Sequence, residues 1–499
     1  MSTSKSLIVI GVFALLAGGC GDDSPGSNTN NGTNTNNNVT PGLVGAPGVA
    51  ITSVALYQGP KCVIMNNGLN TQCDVPLING RDGLLRVFYS AAPAAVGQTY
   101  TARLTIDAAH TYEVTGNFVP TSNEENMAST ANFVLPGEAI NQFLAYKVEL
   151  LQDGTPADDN PQARFPQTGV QPVTVDGVIN TFRVIIAPFA YWADGSGRVP
   201  NLTPARVEEF RNRFLQLYPV TNAEVSVRDA YDWNQTLGSD GTGWQQLGMT
   251  LAGFRNQDGT SDDVYYYGIF NPAASFGQYC GMGCLLGVTL LNDNPPDTGS
   301  VQLRIAIGVG FDEYAVDTAA HEIGHSHGRR HAPCGLGVED IDPAYPYAGG
   351  LIGVWSWDIV GEQLFGPEDK TDIMSYCENQ WISDYNYKAW YARGMNVNLP
   401  WFHDESPIEV SYKVVSLDGQ GGGVIQPGVR LRSHKLNGTP LEVFVQSKAG
   451  RANTITGQYF YWDHLPGGWL FVPEQTFRLD RVELVVEGLP TIAERPLLP

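Results

Sequence analysis

His321-Glu322-Ile323-Gly324-His325-Ser326-His327-Gly328-Arg329-Arg330-His331 holds four of the eight histidines in a chain of 499 residues. Tyr314 to Ala320, just before it, has helical character, so His321 and His325 fall one turn apart on the same face. Two imidazoles at that spacing can reach one metal ion. Glu322 is rotated by about 100° around the helix, a direction from which its carboxylate meets a metal-bound water. Gly328 can end the helix with a positive φ, which costs glycine little, and the chain can then bend His331 back as a third ligand. Three nitrogens leave one position on zinc open, which distinguishes a catalytic site from a structural one. His327 points away from the ligand face and reads as a solvated or supporting histidine. Arg329 and Arg330 read as solvated, with substrate contact the alternative.

The stretch 321–331 resembles the extended motif of the metzincin metallopeptidases, H-E-x-x-H-x-x-G-x-x-H, which a methionine turn follows. Asp372-Ile373-Met374-Ser375-Tyr376 is similar to that turn. The resemblance spans roughly residues 180 to 400, with its specific motifs confined to these two stretches. It implies one catalytic zinc on His321, His325 and His331, Glu322 as general base, and Met374 as a hydrophobic floor beneath the metal. It also implies that the Tyr376 hydroxyl meets the metal or the reacting carbonyl. Ala332 stands where better-known branches carry a marker residue, so no branch is assigned. The expected function is hydrolysis of peptide bonds in extracellular proteins or glycoproteins by zinc-activated water. The alternative is a non-catalytic surface adhesin or glycan-binding lipoprotein with a vestigial peptidase domain, against which the intact Glu322 argues.

A chain of this length exceeds what one hydrophobic core usually serves. Residues 47–177 alternate short apolar runs, such as Ile51 to Tyr57 and Tyr100 to Ile106, with turn residues, the pattern of an antiparallel sandwich. Over 178–400, strands (Phe182 to Pro188, Val264 to Phe270) alternate with helices, one opening at Thr203-Pro204 and ending at Tyr218-Pro219. Residues 401–499 return to short strands. The expected fold is therefore multidomain: an α/β (α+β) metzincin-like catalytic domain flanked by N-terminal and C-terminal all-β sandwich-like domains.

Residues 1–20 give an address. Lys5 precedes an apolar run from Leu7 to Leu16 that is too short to span a bilayer, and Leu16-Ala17-Gly18-Gly19-Cys20 is similar to a bacterial lipobox, with Ala17 where leucine is usual. Lipidated Cys20, or an ordinary secretory signal with a free Cys20, follows from this reading. Residues 21–46, rich in Asn, Thr and Gly, form a flexible tether. The protein is thus expected to be exported and lipid-anchored to a bacterial membrane or the cell surface.

Six of the seven cysteines remain for three disulfides in an oxidising compartment; of the fifteen pairings six cysteines allow, the expected one is local, Cys62 with Cys73, Cys280 with Cys284 and Cys334 with Cys377. Cys334 as a zinc thiolate would close the site. The loop from Cys280 to Cys284 would sit on the rim of the substrate cleft. Trp355, Trp357 and Trp381 would pack near the site or floor a specificity pocket. A net charge of −22 argues against a nucleic-acid partner and against a basic membrane-binding face, which leaves the lipid as the membrane contact. Acidic loops could hold calcium, although no EF-hand-like spacing supports it. No sequence feature sets an oligomeric state.

Overall fold

Phe182, Val184 and Ile186 bury their side chains on one side of a strand, and Ala187, Phe189 and Tyr191 on the other. A strand covered on both faces belongs in the interior of a sheet. The computed structural model describes residues 42–496, apart from 108–109, 262, 282, 292–303, 336–339, 399–407, 434–435, 437 and 487. In it, this strand, Thr181–Tyr191, lies inside a six-stranded sheet. Asn222–Val227 and Tyr231–Trp233 pair with it on one side and Val264–Phe270 on the other, all parallel. Ile305–Val309 continues the sheet in parallel, and Gly287–Thr289 closes that edge in the antiparallel sense.

The helix Pro204–Leu217 begins where the sequence places it. The Thr203 side chain accepts from the Arg206 N–H, and proline occupies the first turn. It buries Phe210, Phe214 and Leu217 on one face of the sheet, beside the helix Ala315–Ser326. The opposite face is covered by the helix Trp244–Asp258, through Trp244, Leu247 and Leu251.

Two further antiparallel sheets, of six and five strands, enclose a common core before this region, with Leu56, Val87, Leu104 and Val148 in its interior. After it, seven strands close on themselves. Ile408–Leu417 pairs with both Gly422–Ser433 and Gly468–Pro473, so neither end of the series is left as an edge.

The expected fold class does not hold. Among the described residues, 28 strands accompany only five α-helices, so the molecule is predominantly β. It is not a metzincin-like α/β domain carrying separate β modules. The C-terminal region is a closed barrel rather than a sandwich. Both architectures write the same alternation of inward and outward side chains into sequence, and only the pairing of first and last strands separates them.

The regions also share their interiors. Trp462, Trp469 and Phe471 of the barrel pack into one cluster with Trp244, Leu247 and Ile307 of the mixed sheet layer. Arg81, fully buried in the N-terminal region, donates to the carbonyls of Leu215, Tyr218 and Val220 at the end of the first helix. From Gly42 onward the chain is one compact unit. The tether expected to reach residue 46 stops earlier, because Gly42–Gly45 pairs as a strand with residues 151–154. Cys20 and the leader lie outside the described residues. No helix among the described residues is long and apolar enough to cross a membrane.

Candidate metal centre

The helix Ala315–Ser326 presents His321 and His325 on one face, both buried. Gly328, at φ 79°, lets the chain leave the helix in the left-handed region that glycine tolerates. His331 is held across the turn by two backbone bonds, its N–H to the Asp340 carbonyl and its carbonyl from the Asp342 N–H. The result is convergence. His325 Nε2 lies 3.0 Å from His321 Nε2 and 3.0 Å from His331 Nε2.

The other ring nitrogens explain what that convergence means. His321 Nδ1 is 2.7 Å from the Ile373 carbonyl, and His325 Nδ1 is 2.6 Å from the Arg329 carbonyl. A carbonyl only accepts, so each Nδ1 carries the proton and each Nε2 carries a lone pair. Burial, and next the neighbouring His331, hold both rings well below the usual histidine range, so both are neutral. Two lone pairs facing each other at 3.0 Å repel unless a cation lies between them. Two nitrogens bound to one zinc at about 2.0–2.1 Å with a tetrahedral angle stand about 3.4 Å apart. The donor set therefore fits a metal ion.

Two glycines make room. A Cβ on Gly324 would lie 2.5 Å from Met374 Sδ, so the missing side chain lets Met374 sit directly against the histidine helix. A Cβ on Gly287 would lie 2.4 Å from Glu322 Oε1, so the edge strand yields its space to the glutamate. Met374 is fully buried among Ile323, Trp390 and Trp381. The buried Asp372 holds that turn by accepting from the N–H groups of Met374 and Ser383 and from Asn386 Nδ2.

The segment that follows His331 and the turn from Asp372 to Tyr376 are fastened side by side. Ala332 N–H donates to the Met374 carbonyl and Tyr376 N–H to the Cys334 carbonyl. A disulfide joins Cys334 to Cys377, which removes the thiol as a metal ligand. The other two expected disulfides, Cys62–Cys73 and Cys280–Cys284, are also present.

Glu322 does not stand alone. Asp463, which sequence reasoning did not single out, is buried with it, and Oε2 of Glu322 and Oδ2 of Asp463 have no hydrogen-bond partner among the described residues. Burial, and then the charge of Asp463, raise the Glu322 carboxyl well above its ordinary range, and burial pushes Asp463 up to about 6. A divalent cation beside them acts in the opposite direction. Glu322, Asp463 and His464 form one group of potential ligands, and His464 also joins the group of His321, His325 and His331. The buried His, Glu and Asp side chains can hold a metal ion.

Tyr376 reaches the same place, with its hydroxyl 2.9 Å from His464 Nε2 and its ring 4.8 Å from that of His331. His321, Glu322, Tyr376, Asp463 and His464 line a cleft of about 840 Å³, whose walls also include Cys284, Leu285, Tyr314 and Glu378. The disulfide loop thus does reach the rim.

Other expectations shift. His327 is buried rather than solvated. It stacks on Tyr265 at 4.8 Å between ring centroids, donates from Nδ1 to the Ile323 carbonyl, and is pushed down to about 3 by burial. Arg329 is not a free surface cation, since it binds Asn386 and Asp342 and lies over Tyr385. Its backbone carbonyl orients His325. None of the three tryptophans lines the cleft: Trp381 packs with Met374 in the core, and Trp355 and Trp357 pack against the N-terminal region.

No protein-family model matches the chain, and no curated protein matches it. Among solved structures, the chain is similar to one described as a chaperone-substrate complex, at 13% identity over 54% of this chain and 38% of that one, with a TM-score of 0.23. A second, the crystal structure of Parabacteroides merdae beta-glucuronidase, matches at 12% identity over 91% of this chain and 66% of that one, with a TM-score of 0.16. The chain spans less than two thirds of each, and at these TM-scores neither likeness bears on fold or function.

Proposed function

We propose that this protein is a zinc-dependent endopeptidase acting on extracellular proteins or glycoproteins, with His321, His325 and His331 holding the ion. The observation that carries the reading is the meeting of three imidazole Nε2 atoms, His325 3.0 Å from both His321 and His331, beside Glu322 on an open cleft. Held by His321, His325 and His331, zinc would supply Lewis acidity and an activated water at neutral pH. Glu322 takes the proton of the attacking water and returns it to the departing amine. The Tyr376 hydroxyl, at the cleft wall, donates to the oxygen on which negative charge develops. The three disulfides support an oxidising, exported setting, with Cys20 as the proposed lipid anchor.

The test is cleavage of casein and of a mucin, with and without chelator. Glu322→Ala should abolish cleavage, a loss of at least about 10²–10⁴-fold, while zinc content measured by atomic absorption stays at one per chain. Near wild-type cleavage by that variant removes the glutamate from the mechanism. Zinc bound in full with neither protein cut would favour the adhesin or glycan-binding reading.

A further inference from the structure

Asp463 and His464 lie on the turn between the barrel strands Ala452–Tyr461 and Gly468–Pro473, more than 130 residues beyond the three-histidine motif. The turn is tied to the edge strand of the mixed sheet by backbone bonds. Asp463 N–H donates to the Thr289 carbonyl at 3.1 Å, and Leu291 N–H donates to the Tyr461 carbonyl at 3.0 Å. Asp463 Oδ1 accepts from the N–H groups of Thr289 and His464, both at 2.9 Å. Trp462, next in the chain, is buried against the helix Trp244–Asp258. A turn held this firmly gives its side chains defined positions.

The His464 ring lies 4.9 Å from that of His331, 5.6 Å from His325 and 6.0 Å from His321, between centroids. The three motif rings are themselves 4.6 to 5.3 Å apart. One nitrogen from each of the four rings falls within 4.8 Å of the others. His464 also stacks on Tyr376 at 5.5 Å, with its Nε2 2.9 Å from the tyrosine hydroxyl. A ring so placed has two partners within small movements, the ion and the tyrosine.

Resting on the metal-centre reading above, we propose that His464, delivered by the barrel, is a fourth protein donor to the ion. It occupies the corner that substrate and water need, and it leaves that corner by swinging toward the face of the Tyr376 ring on which it stacks. The barrel then belongs to the metal centre itself.

The experiment uses the full chain loaded with Co²⁺ in place of zinc. His464→Ala replaces a nitrogen donor by solvent, so the visible cobalt spectrum should change. Zinc affinity, by competition with a chelator, should fall by about 10-fold to 100-fold. Added azide should perturb the variant's spectrum more strongly than the wild type's, because a corner has been freed. Leu465→Ala, a neighbouring change that removes no donor, should retain the wild-type spectrum, and matching thermal melts of the metal-free proteins exclude collapse of the turn. Unchanged spectrum and affinity in His464→Ala overturns the proposal, as does an equal change in Leu465→Ala. If His464→Ala has no effect while Glu322→Ala still loses cleavage, this inference fails and the peptidase reading stands. If His464→Ala alters the spectrum of a protein that cuts no peptide, the reverse holds.

Discussion

The helix Ala315–Ser326 and the turn at residues 462–467 bring chemistry to the same point by opposite routes. The helix carries two histidines and a carboxylate within five residues, and their convergence follows from 3.6 residues per turn. The turn carries a carboxyl and an imidazole whose arrival depends on barrel closure and on docking against the edge strand Gly287–Thr289. The helix can be recognised without its surroundings, whereas the turn means nothing apart from them. A site assembled from both is only as well ordered as the contact between the two regions.

The comparison can be broken most directly at the helix. His325→Ala removes the nitrogen closest to both other ligands and should abolish stoichiometric zinc binding. Retention of one zinc per chain after dialysis would show that the turn, rather than the helix, dominates the centre.

The link between the third ligand and the methionine turn comes next. Replacing Cys334 and Cys377 together by serine opens a loop with a sequence separation of 43 residues, and the loop-closure estimate is a loss of about 4 kcal/mol. Denaturant unfolding of the metal-free protein measures it. A loss under about 1 kcal/mol would mean that the backbone bonds from Ala332 and Tyr376 suffice.

A smaller effect should come from the glutamate's space. In Gly287→Ala the new methyl group meets Glu322, so cleavage should fall at least about 10-fold by displacement of the general base, while zinc affinity holds. Equal loss of both would mean that the edge strand moved the whole helix. Tyr376→Phe should slow turnover by about 10-fold to 100-fold through loss of one hydrogen-bond donor. It should leave the KM for a casein-derived peptide nearly constant. Unchanged turnover would confine Tyr376 to packing against His464. The smallest expected effect on the metal is that of His327→Gln, which should leave zinc content at one per chain although it disturbs the stacking on Tyr265. Loss of zinc there would make His327 a support of the ligand helix.

Parts of the structure were legible because they are local. Thr203-Pro204 marks a helix start through the hydroxyl cap and the fixed φ of proline. Val264–Phe270 is a strand over the very residues that its β-branched and aromatic run suggests. Two of the three disulfides join cysteines separated by 11 and 4 positions, and the third spans 43. Helical geometry turns His327 away from the other histidines but does not choose between solvent and a supporting place, because it gives direction and not what lies there. The sheet face carrying Tyr265 turned that direction into core.

By itself, then, the sequence determined the ligand helix, the glycine that ends it, the cysteine pairs and the strand segments, since each depends on residues a few positions apart. Only the tertiary structure decided that the last seven strands close into a barrel, that this barrel shares a core with the mixed sheet, and that Asp463 and His464 face Glu322 and the histidines. The physical reason is that strand alternation is identical in open and closed sheets. Closure and docking are set by packing between segments from dozens to hundreds of residues apart, which no local period records.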